Sequence, residues 1–265
     1  EEKILQFEKI VKIGRTHLQD AVPIPLSMEF KVYLRQVEMN QERLNQAMEE
    51  LYHVPLGGTA LGTGINAHED FGETASNELA KLSGFPIKPN PVKAEGIASH
   101  NAIVRMSGTL KLVALSLLKM ANDIRWMGSG PRAGLGELII PANEPGSSIM
   151  PGKVNPTQAE ALIQACLQVM GNDEIISIAE SHGSILDLNV CKPLIIVNLL
   201  ESIKILGNAV NSFRTNCLEG LEANEENIKA YMERTLMVIT NLAPAIGYDK
   251  AAGIAQKAHE EGKTI

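Results

Sequence analysis

The chain has 265 residues, of which 45% are hydrophobic and 21% charged, so it is long enough to bury a substantial core. The formal net charge of -7, without any basic run, argues against a nucleic-acid-binding surface. No uninterrupted apolar stretch of about 18 residues is present, so we expect no membrane partner either.

Helices are predicted over most of the chain, because aromatic residues make up only 4% and apolar residues recur at helical spacing. Glycine-rich and proline-rich segments predict loops at 14–25, 56–66 and 86–91. Residues 129–156 are expected to be irregular, apart from a short strand at 137–140. The predicted helices are 2–13, 27–53, 68–83, 93–128, 157–181, 193–219, 224–240 and 248–261.

These segments predict an all-α fold, in which long helices form a bundle. One chain alone cannot bury all of the apolar surface of this bundle. The helices at 157–181 and 193–219 are apolar around much of their circumference, which indicates burial against further subunits. After Gly220 the predicted helices become shorter and more polar. We therefore expect a helical-bundle domain at 1–220 and a small helical domain at 221–265.

The loop at 146–156 reads Gly-Ser-Ser-Ile-Met-Pro-Gly-Lys-Val-Asn-Pro and is the strongest functional signal. Its glycines and prolines forbid a regular helix or strand and favour a shaped backbone that can approach a ligand. Asn155 is an N-cap candidate, with Pro156 at the first helical position. Ser147, Ser148 and Lys153 would then meet an anion near a helix N-terminus.

A second polar segment, Gly-Arg-Thr-His-Leu-Gln-Asp-Ala, occupies 14–21. Pro23 and Pro25 keep the following residues extended, so Thr16 and His17 are predicted to project from a loop. A lone loop histidine is more often simply solvated. The density of polar neighbours around His17 favours a functional role.

No metal or cofactor is expected, because no His, Cys, Asp or Glu spacing resembles a metal site. The cysteines, Cys166, Cys191 and Cys217, fall in or beside apolar helical runs without paired spacing. Free thiols of this kind are typical of a reducing compartment. We expect the cytoplasm, or the mitochondrial matrix if the source is eukaryotic.

The 146–156 loop resembles the signature of the fumarase/aspartase superfamily, and the resemblance extends along nearly the whole chain. His17, the Gly-Gly-Thr-Ala run at 57–60 and Ile-Gly-Tyr-Asp-Lys-Ala-Ala at 246–252 are similar to class II fumarases more than to aspartases. Members of this family have a further domain before the region that matches Glu1 and a tail after Ile265. We therefore expect the chain to be part of a longer protein.

The resemblance implies a role for each candidate residue. Ser147 would be the catalytic base, and Thr16 and His17 would orient a substrate carboxylate. Glu160 would pair with His17, and an alternative makes the His17 and Glu160 pair the base, acting through a water molecule. Three further residues would bind substrate and stabilise the charge that develops on its carboxylate: Ser148, Lys153 and Asn155.

The function that the resemblance implies is reversible hydration of fumarate to (S)-malate through an aci-carboxylate. Two alternatives stay open: an ammonia-lyase that releases fumarate from aspartate, and a scaffold without activity. The family further implies a fold of the fumarase/aspartase type and a homotetramer whose active sites are shared between subunits, with a small dicarboxylate as substrate.

Overall fold

The structure, a computed structural model, describes residues 1–265 and confirms the all-α prediction. Ten helices make up most of the chain: α1 (Glu2–Gln6), α2 (Leu26–Leu51), α3 (Phe71–Ser83), α4 (Lys93–Ala98), α5 (Asn101–Met127), α6 (Thr157–Gly183), α7 (Lys192–Phe213), α8 (Glu225–Arg234), α9 (Ala243–Ile246) and α10 (Tyr248–Glu261). A π-helical turn, Arg214–Leu218, continues α7, and a 3-10 turn, Met237–Asn241, precedes α9.

Eight strands pair into four two-stranded sheets. They are β1 (Val11–Thr16), β2 (Gln19–Pro25), β3 (His53–Val54), β4 (Lys88–Pro89), β5 (Leu138–Ile139), β6 (Ser184–Ile185), β7 (Leu188–Asn189) and β8 (Glu222–Ala223). The pairs are β1–β2, β3–β4, β5–β8 and β6–β7, of which only β3–β4 is parallel. The strand predicted at 137–140 is confirmed by β5.

The predicted helix at 2–13 and the predicted loop at 14–25 are both wrong, because an antiparallel hairpin replaces them. Helix α1 ends at Gln6, and β1 pairs with β2 from Val11 opposite Pro25 to Thr16 opposite Gln19. Gly14 permits this pairing, since a Cβ atom there would lie 2.8 Å from the Val22 carbonyl oxygen. Pairing with a partner strand outweighs the local apolar spacing.

The helix predicted at 93–128 is interrupted between α4 and α5. Ser99 has an extended backbone, with φ -134° and ψ 152°. The Ser99 hydroxyl and the His100 amide both donate to the Glu180 carboxylate at 2.9 Å. The Glu180 carboxylate therefore accepts the hydrogen bonds of the residues that precede α5. A new helix then begins at Asn101.

The chain divides into two compact units. Unit 1 comprises residues 1–35, 122–156 and 215–265, and unit 2 comprises residues 36–121 and 157–214. The domain boundary predicted between 220 and 221 stays a prediction.

In unit 2, α6 and α7 pack against each other around a partly polar core. The Asn172 amide donates to the Ser202 hydroxyl at 3.1 Å. The buried Asp173 carboxylate accepts from Ser107 at 2.7 Å and pairs with Lys111. Both helices also expose large apolar side chains, a set called here the α6/α7 apolar surface: Leu167, Ile175, Ile178, Leu194, Ile196, Val197, Leu200 and Ile203.

Two helices, Asn101–Met127 and Lys192–Leu218, are long and apolar enough to cross a membrane by length and composition. The same property is shared by core helices of soluble proteins. Within α5, Arg105 pairs with Glu50 and Lys111 pairs with Asp173. Charged groups inside a bilayer are costly, so these ion pairs favour packing against protein.

Two of the three free cysteines are buried, one in each unit. Cys166 lies in α6 and Cys217 in the π-helical turn. Burial raises the pKa of each thiol to about 11. Both thiols therefore stay protonated and unreactive at neutral pH in the folded protein.

Candidate active site

Thr16 and His17 lie at the tip of the β1–β2 hairpin, where the sequence predicted a loop. The two turn residues, His17 and Leu18, both have left-handed backbones, with φ 56° and 59°. Two-residue hairpin turns of this kind ordinarily use Asn and Gly, because other residues are strained there. Thr16, His17 and Leu18 are all exposed, so the hairpin presents polar side chains on a strained turn.

We expect Leu18→Gly to stabilise the fold by about 0.5–1 kcal/mol. A left-handed backbone costs an L-residue about 1–2 kcal/mol, which exceeds the entropy that glycine adds to the unfolded chain. Leu18 is 64% exposed, so little burial is lost. Urea unfolding measures the change, and Leu5→Gly, at an exposed position inside α1, should destabilise instead. Destabilisation by Leu18→Gly would show that the turn is unstrained.

Below the tip, the hairpin is fixed by a buried ion cluster of Lys12, Arg15, Glu29 and Glu137. The Arg15 Nη1 atom donates to Glu137 Oε1 at 2.6 Å, and Lys12 Nζ lies 3.2 Å from Glu137 Oε2. Lys12 Nζ also lies 3.4 Å from Glu29 Oε1. Lys12 and Glu137 are buried, so the charges compensate each other out of contact with water.

The 146–156 segment forms the irregular loop that was predicted. The Gly146 amide donates to the Lys153 carbonyl oxygen at 2.7 Å, and the Asn155 side-chain amide donates to the Gly146 carbonyl oxygen at 2.9 Å. Because α6 begins at Thr157, Pro156 precedes the helix and does not take its first position. The Asn155 side chain, which was predicted as a cap, closes the loop through this bond.

Ser147 is half-buried in this loop and accepts two backbone donors. The Ile149 and Met150 amides donate to Ser147 Oγ at 3.3 and 3.2 Å. Donors aimed at a hydroxyl oxygen stabilise it most when it carries negative charge. Ser148 and Lys153 are exposed on the same loop and are free to meet a ligand from solvent.

A cavity of about 300 Å³ adjoins the loop within unit 1. Lys153 and Asn155 line it on one side, and Gly136 and Leu138 line it on another. Its size suits a small organic acid, and Lys153 supplies a positive charge.

The structure brings together Ser147, Lys153 and Asn155 in one closed loop. Thr16 and His17 lie on the hairpin of the same unit, and their side chains make no hydrogen bond with the loop. Glu160 is in α6 and belongs to unit 2, so its pairing with His17 stays a prediction.

Sequence reasoning missed a polar cluster around His100. His100 Nε2 lies 3.0 Å from Lys192 Nζ, and the Lys192 ammonium also donates to the Ile97 carbonyl oxygen at 2.7 Å. Glu180 accepts from the Asn189 amide at 2.7 Å. His100 and Lys192 line a cavity of about 600 Å³ in unit 2. They come from well-separated segments, so no local pattern could have found them.

The His100 cluster predicts a loss of stability in acid. Burial, and after it the charge of Lys192, lowers the pKa of His100 below its ordinary value of 6.5, although Glu180 and Glu95 oppose this. When the pH falls through the pKa that His100 has in the unfolded chain, the unfolded chain binds a proton that the folded chain does not. The free energy of unfolding therefore decreases. We expect Tm to fall less between about pH 8 and pH 5.5 in His100→Gln than in the unsubstituted protein.

The control for this experiment is His53→Gln, whose exposed ring adjoins the same cavity. It should keep the acid sensitivity of the unsubstituted protein. An equal fall in Tm in all three proteins would show that His100 does not cause the loss of stability in acid.

No group of three or more His, Cys, Asp or Glu side chains is placed to hold a metal ion.

Comparison with known proteins identifies relatives along the whole chain. A family model described as lyase matches residues 1–171, and one described as fumarase C C-terminus matches residues 238–265. The class II fumarate hydratase of Thermosynechococcus vestitus is 54% identical over 265 residues, and the mitochondrial fumarate hydratase of Rhizopus oryzae is 52% identical over 263. These alignments include 100% and 99% of this chain, but 56% and 53% of the relatives.

A solved structure agrees with these sequences. The class II fumarase of Schistosoma mansoni matches with a TM-score of 0.96 and 39% identity, over 99% of this chain and 58% of that one. The fold is therefore of the fumarase type. The chain spans little more than half the length of the proteins that it matches.

Proposed function

Because the chain belongs to the lyase family, we propose that the protein that contains it is a class II fumarate hydratase. This enzyme would add water reversibly to fumarate and give (S)-malate. The observation that carries the proposal is the closed 146–156 loop, in which two amides contact Ser147 Oγ and Lys153 lines the adjoining cavity. The names of the relatives support the same reaction.

The chemistry requires removal of a weakly acidic proton next to a carboxylate. In the dehydration direction, Ser147 takes this proton from malate, and the substrate carboxylate gains a second negative charge as the aci-carboxylate. The electron pair then forms the C=C bond of fumarate, and the hydroxyl group on the neighbouring carbon leaves as water with a proton from solvent. The Ile149 and Met150 amides stabilise the Ser147 alkoxide beforehand. Lys153, Asn155 and Ser148 stabilise the charge on the substrate as it develops.

Thr16 and His17 orient the second carboxylate of the substrate in this proposal, and Glu160 pairs with His17. The competing assignment has His17 and Glu160 removing the proton through a water molecule. The two amides on Ser147 Oγ support the serine, because they are placed to stabilise the negative charge of its alkoxide.

We further propose a homotetramer whose active sites are shared between subunits. The α6/α7 apolar surface supports this, because side chains such as Val197 and Leu200 are more than half exposed in a single chain. A shared site also fits the arrangement within one chain, in which the hairpin side chains make no hydrogen bond with the loop.

A reducing compartment is proposed as the location, because the cysteines are free. The relative from Rhizopus oryzae is named mitochondrial, and bacterial relatives carry no such label. The proposal is therefore the cytoplasm in a bacterium and the mitochondrial matrix in a eukaryote.

The experiment that tests the function is incubation of the intact protein with fumarate, with and without ammonium, and identification of the product by proton NMR. Malate formed independently of ammonium supports the hydratase. Aspartate formed only with ammonium would make the protein an ammonia-lyase. No product from a well-assembled oligomer would refute both reactions and favour a scaffold.

A further inference from the structure

We infer that Glu137 is a positioning residue: through Arg15 it holds the strained turn that carries Thr16 and His17, and thereby sets substrate affinity. The inference rests on the proposed function of that turn. Glu137 lies outside both polar segments that the sequence singled out, and it does not contact the turn itself.

Glu137 is a rigid anchor because both its side chain and its main chain are fixed. Its side chain is 0% exposed, and the carboxylate contacts Arg15 at 2.6 Å and Lys12 at 3.2 Å. Its amide donates to the Met127 carbonyl oxygen at 2.7 Å, and its carbonyl oxygen accepts from the Asn224 amide at 2.9 Å. The carboxylate therefore has little freedom to follow a moving hairpin.

Arg15 transmits this rigidity to the turn, because it directly precedes Thr16. Its guanidinium lies 5.5 Å from the ring centroid of Tyr231, and the Tyr231 hydroxyl donates to the Gly134 carbonyl oxygen at 3.1 Å. The arginine side chain is 13% exposed. It is therefore held by the Glu137 carboxylate and by an aromatic face, which fixes the end of β1.

The turn needs such an anchor. His17 and Leu18 adopt left-handed backbones, and strained residues persist only where their surroundings hold them. The side chains from Thr16 to Gln19 are exposed and supply little packing. Arg15 is thus the last residue of β1 whose side chain is tied to the rest of unit 1.

Glu137 lies between two residues of the wall of the cavity beside the 146–156 loop. Its neighbours Gly136 and Leu138 line the cavity beside Lys153 and Asn155. One carboxylate therefore links the hairpin to the segment that shapes the cavity.

The test is Glu137→Gln in the intact protein, which removes the charge and keeps the shape. We expect faster amide hydrogen exchange in 11–25, and a rise in KM for malate of about tenfold with kcat nearly unchanged, because the turn binds substrate and does not transfer the proton. The matched control is Asp173→Asn in unit 2, which breaks another buried carboxylate pair, with Lys111. It should lower Tm but leave KM and the exchange of 11–25 unchanged.

A second variant separates positioning from general stability. Leu18→Gly relieves the strain of the turn, so we expect Glu137→Gln/Leu18→Gly to recover part of the lost affinity and of the protection of 11–25. Recovery of Tm without recovery of KM would overturn the inference.

Two other results would also overturn it: unchanged exchange in 11–25 after Glu137→Gln, or an equal rise of KM in Glu137→Gln and Asp173→Asn. An unsubstituted protein that does not hydrate fumarate would refute the proposed function. In that case the effect of Glu137→Gln on amide hydrogen exchange in 11–25 still tests whether Glu137 anchors the turn.

Discussion

Ser147→Ala in the intact protein is expected to lower kcat for malate dehydration by about 10²–10⁴-fold, the range for losing a general base. The substitution removes the oxygen that the Ile149 and Met150 amides contact, and with it the group proposed to take the proton. The loop should stay closed, because its closure depends on the Gly146 to Lys153 and Asn155 to Gly146 bonds. Stopped-flow or steady-state absorbance of fumarate measures the change.

The matched control is Ser83→Ala. Ser83 Oγ also accepts a backbone amide, from Phe85 at 3.3 Å, but it lies in α3 and outside the candidate site. Its turnover should equal that of the unsubstituted protein. If Ser147→Ala keeps full turnover in an intact oligomer, the base is another group, and the His17 and Glu160 pair becomes the assignment to test.

Val197→Glu is expected to prevent assembly of the proposed oligomer and to abolish activity with it. Val197 is 61% exposed on α7, inside the α6/α7 apolar surface. In the assembled protein the new carboxylate would be buried without a partner, and symmetry would repeat this cost of several kcal/mol in every subunit. Sedimentation velocity should show monomers in place of the oligomer.

Val92→Glu provides the comparison, because Val92 is 62% exposed but precedes α4 and lies outside that surface. It should assemble normally. An oligomer that forms with Val197→Glu would mean that subunits associate through another surface.

The long helices could be predicted from the sequence because their signal is local. Apolar spacing placed α2, α6 and α10 within about two residues of their observed bounds, which is the usual uncertainty of helix ends. The hairpin could not be found in this way. Whether Val11–Thr16 forms a strand depends on its pairing with Gln19–Pro25, which apolar spacing does not show.

In the candidate site, too, features with a local sequence signal could be predicted and features that depend on folding could not. Glycine and proline in 146–156 were enough to predict a shaped loop, and the polar residues named its chemistry. The amides that contact Ser147 Oγ depend on the backbone torsions of the loop, which residue types alone do not give. Glu137 is 122 positions from Arg15, and no pattern in either segment indicates their contact.

The two buried cysteines give the protein an internal reporter for each unit. A thiol-alkylating reagent can modify Cys166 only when unit 2 opens, and Cys217 only when unit 1 opens. Peptide masses after a short labelling pulse would therefore give the opening rate of each unit from one sample. The order in which the two peptides gain mass on heating would show which unit unfolds first, without any engineered probe.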